Sequence, residues 1–211
     1  VQVSVNGIDA KHRDAKHRIV AVAGELMAER GFAGTSIAEI AKRSECAPPT
    51  IYWHFGSKEG LLHAVLREGA DSHFGAIRKM ARLAGTADER LEKQLNAAAV
   101  GLEKEPPFIR LLLLLTLERR SDDATLEVIR VARARACAQL GLWFAAYFDE
   151  LSLTNDGRVI DRVAELALAL TDGLVLEHIL NPGTADIAGA MRSFRISLPS
   201  LVNSLSEPVS L

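Results

Sequence analysis

The apolar positions of this chain recur every three or four residues almost from end to end, and nowhere alternate as a half-buried strand requires. Ile19, Val22, Ala23, Leu26 and Met27 form the stripe of a helix running from His12 to Arg30, with Gly31 just beyond it as its stop. Ile37, Ile40 and Ala41 mark a short second helix, Ile51 and Phe55 a third over Pro49 to Phe55, and Leu61, Leu62, Val65 and Leu66 a fourth reaching to about Leu83. Further helices are expected over about 88–104, from Pro106-Pro107 through Leu115, and from Ser121-Asp122-Asp123 to about Phe148. Another spans Val159 to Leu180 and is apolar on more than one side, so it needs cover on several faces. The last carries Ile187, Met191, Phe194, Leu198, Leu201 and Leu205, a heptad-like seam in which Pro199 is expected to kink or divide the helix. The predicted fold class is all-α. A loose arm over 1–10 precedes a small helical domain over 11–68 and a larger one over 69–211.

The stretch Thr35–Lys58 is the most specific part of the pattern. Ser36 and Glu39 have capping-box spacing, with Thr35 as an alternative cap one residue earlier. Pro48 and Pro49 stand where a helix can open, because the missing proline N–H has no intrahelical partner there anyway. Of the helix that follows, only Ile51 and Phe55 form an inward pair, which leaves Thr50, Tyr52, Trp53 and His54 largely outward. A short helix held across a bend by another, with aromatics and hydroxyls facing out, is the helix-turn-helix arrangement that enters a DNA major groove. Hydroxyls, an imidazole and the Lys58 ammonium suit phosphate oxygens, and a base in the first turn of the fourth helix runs against the dipole preference there. The alternative is a plain helical hairpin with Tyr52 and Trp53 in the core.

Thr35-Ser36-Ile37-x-x-Ile40-Ala41, Pro49-Thr50-Ile51-Tyr52-Trp53-His54-Phe55 and Ser57-Lys58-Glu59-x-Leu61, in that order and spacing, resemble the DNA-binding domain of the tetracycline-repressor (TetR) family of bacterial transcriptional regulators. The likeness covers about residues 13–68. It implies a homodimeric, ligand-responsive regulator, most often a repressor released from a palindromic operator by a small molecule, and a bacterial cytoplasmic setting. By the same resemblance Thr50, Tyr52, His54 and Lys58 hold phosphates with help from Ser36, while Pro49, Thr50 and Trp53 approach base edges and thymine methyls. Thr35 belongs to the same DNA-binding set. Pro48 and Ala38 depart from the pattern where polar side chains would read bases, so no operator sequence is implied.

Composition changes this picture little. The 211 residues are 48% hydrophobic and 25% charged, with a formal charge of −2. Residues 1–68 hold nine Lys and Arg against eight Asp and Glu, so the DNA-reading part is barely basic. Lys11, His12, Arg13, Lys16, His17 and Arg18 cluster at the start of the first helix, either as a solvated end or as contacts to flanking phosphates. Cys46 and Cys137 are far apart and fit no metal or redox spacing, which suggests free thiols in a reducing compartment. Val1 to Ala10 lacks the character of a secretory leader, and the longest aliphatic run, Leu111 to Leu115, is far short of a membrane span. No glycine-rich phosphate loop, HExxH or nucleophile elbow is present, so neither an enzyme nor a bound cofactor is expected. In the larger domain Trp143 and Tyr147 share a helix face and could wall a ligand pocket or simply fill a core. His178 reads as a core histidine. The last two helices, about 158–181 and 186–205, are expected to pair with their mates in a dimer, a four-helix arrangement that the resemblance supports.

Overall fold

The structure is a computed structural model that describes residues 4–80, 84–104, 107–117 and 123–206, without the side chains of 4–13 and 73–80. Among its described residues every regular element is a helix, in the order α1 (Ser4–Arg30), α2 (Ile37–Ser44), α3 (Pro48–Phe55), α4 (Lys58–Met80), α5 (Ala87–Glu103), α6 (Pro107–Leu117), α7 (Asp123–Glu150), α8 (Gly157–Leu180) and α9 (Ile187–Ser206). Helix α1 begins at Ser4, so most of the expected arm is helical backbone. The expected recap at Ser121-Asp122 lies outside the described residues; Asp123 opens α7.

By its contacts the chain falls into two compact units, residues 1–72 with 107–130, and residues 73–106 with 131–211. The division differs from the expected cut at residue 69 because α6 packs on α1. The backbone at Gly69 of α4 lies against Phe108 of α6, where an added Cβ would come within 2.5 Å of the ring. His63 Nε2 of α4 also lies 3.1 Å from the hydroxyl of Thr125, which is buried at the start of α7. Sequence periodicity finds helices but does not say which of them pack together.

In the first unit α1, α2 and α3 close on Ile19, Ala23, Leu26, Met27, Ile40 and Ile51, joined by Leu61, Leu62 and Leu66 of α4, all essentially without exposed surface. Burying side chains of this size contributes about 1.5–3 kcal/mol each. Arg30 with Glu39, and Arg43 with Glu25 at 2.9 Å, tie α1 to α2 along their solvated edge. Such exposed pairs add about 0–1 kcal/mol, so the apolar seam holds the unit together.

In the second unit α5 packs on α9 and α8, and α8 on α9. Phe144 and Phe148 of α7 are fully buried with their rings stacked at 6.0 Å, and Phe144 meets Phe194 of α9 edge-on at 6.1 Å. Arg133 of α7 donates to Asp172 of α8 at 2.8 Å, and Arg195 of α9 reaches Asp88 of α5. Pro199 neither divides nor ends α9, which runs on to Ser206. Ile187, Met191, Leu198 and Val202 of that helix are buried within the chain. Of the expected seam, Ile187, Met191 and Leu198 are therefore core of one subunit, while Phe194, Leu201 and Leu205 are half-buried.

Candidate nucleic-acid interface and the second helical unit

The bend between α2 and α3 is built by its backbone. Ser36 caps α2, its hydroxyl accepting from the Glu39 N–H at 3.2 Å. The reciprocal half of the capping box is absent, because the Glu39 carboxylate goes to Arg30. Helix α2 ends on Glu45 in the left-handed region, φ 55° and ψ 35°, and the Cys46 N–H donates to the Ala41 carbonyl at 3.0 Å. Ala47 is extended, and Pro48 and Pro49 open α3, one residue earlier than the periodicity places it. Beyond Gly56 (φ 76°), the Ser57 hydroxyl accepts from the Gly60 N–H at 3.0 Å and starts α4.

This frame buries Ile51 completely and turns the opposite face of α3 to solvent. Trp53 is 71% exposed and Tyr52 50%, which removes the core alternative for both. Pro48 and Pro49 are exposed, and Thr50 is half-buried. His54 is half-buried, its ring 4.6 Å from that of Trp53 in an edge-on arrangement that fixes both. Ser36 is exposed on the neighbouring helix start. Lys58 is half-buried with its ammonium 4.3 Å above the Phe32 ring. That cation–π contact gives the base a local partner and explains its tolerance in the first turn of α4. Thr35 is a correction: it is 1% exposed and its hydroxyl donates to the Gly31 carbonyl at 3.0 Å, so it braces the link from α1 and presents nothing to a ligand.

Near the middle of α1, His17 Nδ1 lies 2.9 Å from Glu68 of α4, and Arg18 lies 3.8 Å from Asp14. These pairs are internal to the unit; the side chains of Lys11, His12 and Arg13 lie outside the described residues. Cys46 is half-buried in the bend, with its Sγ 3.9 Å from an Arg18 guanidinium nitrogen.

Trp143 and Tyr147 are both 5% exposed and lie in the core of the second unit. Burial, with Asp88 adding to it and Arg195 opposing, pushes the Tyr147 phenol up from its ordinary value, so it stays neutral over the biological range. Trp143, but not Tyr147, lines a cavity of about 110 Å³ together with Ala87, Arg90 and Gln94 of α5 and Gln139, Leu142 and Ala146 of α7. The polar members of that lining were not singled out from the sequence. Their signal was Gln94 flanked by Leu91 and Leu95 on an otherwise apolar helix face. A larger cleft of about 610 Å³ opens between the start of α8 and the end of α9, where Leu205 and Ser206 close the described chain. Among the described residues no cluster of three or more His, Cys, Asp or Glu is placed to hold a metal, and no helix is long and apolar enough to cross a membrane.

A short helix with an exposed aromatic face, held across a bend by another helix, is the arrangement of a groove-reading DNA-binding unit. Residues 19–65 match the family model described as "Bacterial regulatory proteins, tetR family". The uncharacterised HTH-type transcriptional regulator YerO of Bacillus subtilis is 28% identical over 155 residues, 69% of this chain and 54% of that one, so the chain spans about half the length of that relative. Among solved structures, the transcriptional regulator FadR of Bacillus subtilis in complex with stearoyl-CoA superposes with a TM-score of 0.72 at 20% identity, over 87% of this chain and 97% of that chain. A transcriptional regulator of Saccharomonospora viridis in complex with choline does so with a TM-score of 0.71 at 19% identity, over 88% and 96%. At such identity these two likenesses concern the fold. The family likeness in sequence is thus carried by residues 19–65, the helix-turn-helix part of the chain.

Proposed function

We propose that this chain is a ligand-responsive, sequence-specific repressor that binds a near-palindromic operator as a homodimer and leaves it when a small molecule occupies its second unit. The observation that carries the reading is the outward face of α3, where Tyr52 and Trp53 stand half or more exposed on a helix of eight residues fixed from behind by Ile51. Exposing that much aromatic surface next to a helix opening is unfavourable unless something docks on it, and the frame around it is that of a groove-reading helix. Tyr52, Thr50, His54, Lys58 and Ser36 are assigned to phosphates, which position the unit. Trp53, Pro49 and Thr50 are assigned to base edges and thymine methyls, which specify the site. The place of action is the bacterial cytoplasm, where the operator is.

Dimerisation is assigned to α8 and α9, on faces other than the buried seam of α9. Leu166, Ala169, Gly173, Leu176 and Leu180 are exposed on α8 at spacings of three and four, a continuous small and apolar stripe. Ile196 is 68% exposed on α9 among Ser193, Ser197 and Ser200. Small residues let facing helices approach closely, and a second copy covers its own stripe with the same one. For ligand release, the fold's record of holding stearoyl-CoA in one relative and choline in another supports a sensing role for the second unit.

The test is selection of operator sequences from random duplexes at two salt concentrations. Enrichment of a palindrome, with affinity falling steeply as salt rises, is the expected result. Tyr52→Ala and Lys58→Ala should each weaken binding to every sequence and lower the salt slope by about one for each phosphate no longer held, whereas Trp53→Ala should cost about 1–3 kcal/mol and relax the selected sequence. Unchanged affinity in all three variants would remove the interface assignment.

A further inference from the structure

We infer that Arg18 of α1 holds a DNA phosphate beside the opening of α3, an inference that rests on the groove-reading role proposed above for that helix. A helix start normally offers free N–H groups to an anion. Here Pro48 and Pro49 have no N–H, the Thr50 N–H donates to the Ala47 carbonyl at 2.9 Å, and no side chain caps the end. The helix dipole still favours an anion there, but these three positions hold out no hydrogen to a phosphate oxygen. A phosphate beside this bend therefore needs a donor from another element.

Arg18 is placed to supply it. A nitrogen of its guanidinium lies 3.9 Å from the Sγ of Cys46, in the bend that leads into Pro48. A thiol sulfur is a weak acceptor, so this contact sets the position of the guanidinium and leaves most of its N–H donors available. The acid nearest to it, Asp14, is 3.8 Å away with a side chain 81% exposed, a pairing worth little against a phosphate. The firmer pairs of this unit lie elsewhere. Arg30 holds Glu39, and Arg43 lies between Glu25 and Glu29 along the α1–α2 edge. Lys58 sits over the Phe32 ring at the start of α4. The bend is thus left to Arg18, whose planar fork can place two parallel N–H bonds on one phosphate. The double proline and the arginine act together: the first withholds backbone donors, and the second replaces them from α1.

The test titrates the full chain, Arg18→Ala and Arg18→Lys against the selected operator and a nonspecific duplex. It is repeated with operators in which single phosphates are replaced by uncharged methylphosphonates. Arg18→Ala should weaken both duplexes alike by about tenfold, lower the salt slope by about one and leave the selected sequence unchanged. Arg18→Lys should keep the slope and recover only part of the affinity. Both variants should unfold at the parent's midpoint, because the pair with Asp14 is exposed. In each half-site one methylphosphonate should weaken the parent and have no further effect on Arg18→Ala. A merely structural role for Arg18 would instead lower affinity equally at every backbone position. Unchanged affinity and slope in Arg18→Ala would overturn the proposal, as would a methylphosphonate scan whose effects are the same in parent and variant. Either result, with the parent still binding its operator, spares the regulator reading. A parent chain that selects no operator would fell that reading and the proposal with it.

Discussion

Glu45 holds the left-handed position that turns α2 into the bend, a conformation that costs a residue with a Cβ about 1–2 kcal/mol relative to glycine. Its side chain is exposed, so Glu45→Gly should relieve that strain. Against the extra freedom glycine gains in the unfolded chain, a net stabilisation of about 0.5–1 kcal/mol is expected in urea denaturation, with operator affinity unchanged. Gly69 is the opposite case: its backbone needs no glycine conformation, but Phe108 occupies the space of a Cβ. Gly69→Ala should cost about 1–3 kcal/mol by overpacking, and Phe108→Leu in the same chain should recover part of that cost. Cys137 gives a prediction in pH. Burial pushes its thiol above the ordinary value; Arg133 opposes, and the Glu165, Asp172 and Asp161 carboxylates add to the rise. The thiolate is thus disfavoured in the fold, so this contribution to stability is complete below the unfolded-state thiol pKa and is lost as pH rises through the folded one. In a Cys46→Ser chain, alkylation of Cys137 should remain slow at neutral pH and accelerate only above the usual thiol range; half-maximal rate at the ordinary value would contradict this.

The same four-residue signature produced two different helix starts, which shows how far local sequence determines an element. Ser36-x-x-Glu39 and Thr86-x-x-Glu89 both have the capping-box pattern. At α5 the box closes, with Glu89 N–H donating to the Thr86 hydroxyl at 3.2 Å and Thr86 N–H to the Glu89 carboxylate at 3.1 Å. At α2 an arginine from another helix captures the acid. A double-mutant cycle should therefore find coupling of about 0.5 kcal/mol or more between Thr86 and Glu89, and should find Glu39 coupled to Arg30 rather than to Ser36. Helix existence, the bend at Cys46 and the outward face of α3 were legible because they follow from periodicity, prolines and one inward pair. Thr35 was misread for a physical reason: whether a hydroxyl beside a cap turns out to solvent or back onto a carbonyl depends on the preceding loop, which local spacing does not encode. Likewise the seam of α9 has one spacing whether it faces α5 and α8 or a second subunit, and only burial separates the two. Pro199 was expected to interrupt that helix, yet the tertiary packing of Leu198 and Val202 on either side keeps it whole.

If the eight residues of α3 read a groove as proposed, they offer few base contacts, so tight and selective operator binding needs two heads held at a fixed separation. In the proposed reading the dimer is therefore part of DNA recognition, and disrupting the exposed stripe of α8 should weaken both. Leu176 is 53% exposed at the middle of that stripe, so Leu176→Glu removes no core packing and should leave thermal stability of the isolated subunit close to that of the parent. In the proposed assembly the same change would bury an unpaired carboxylate from each copy in an apolar contact, which is costly twice over. Sedimentation should show the parent as a dimer and Leu176→Glu as a monomer, with operator affinity lowered at least a hundredfold while weak, salt-sensitive binding to nonspecific duplex persists. Ile196→Glu on α9 should act in the same direction. Asp161→Lys, on an exposed position of α8 outside the stripe, should leave the dimer intact. If both stripe variants remained dimeric with normal operator binding, the second copy would have to dock elsewhere, and the apolar face of α8 would need another partner.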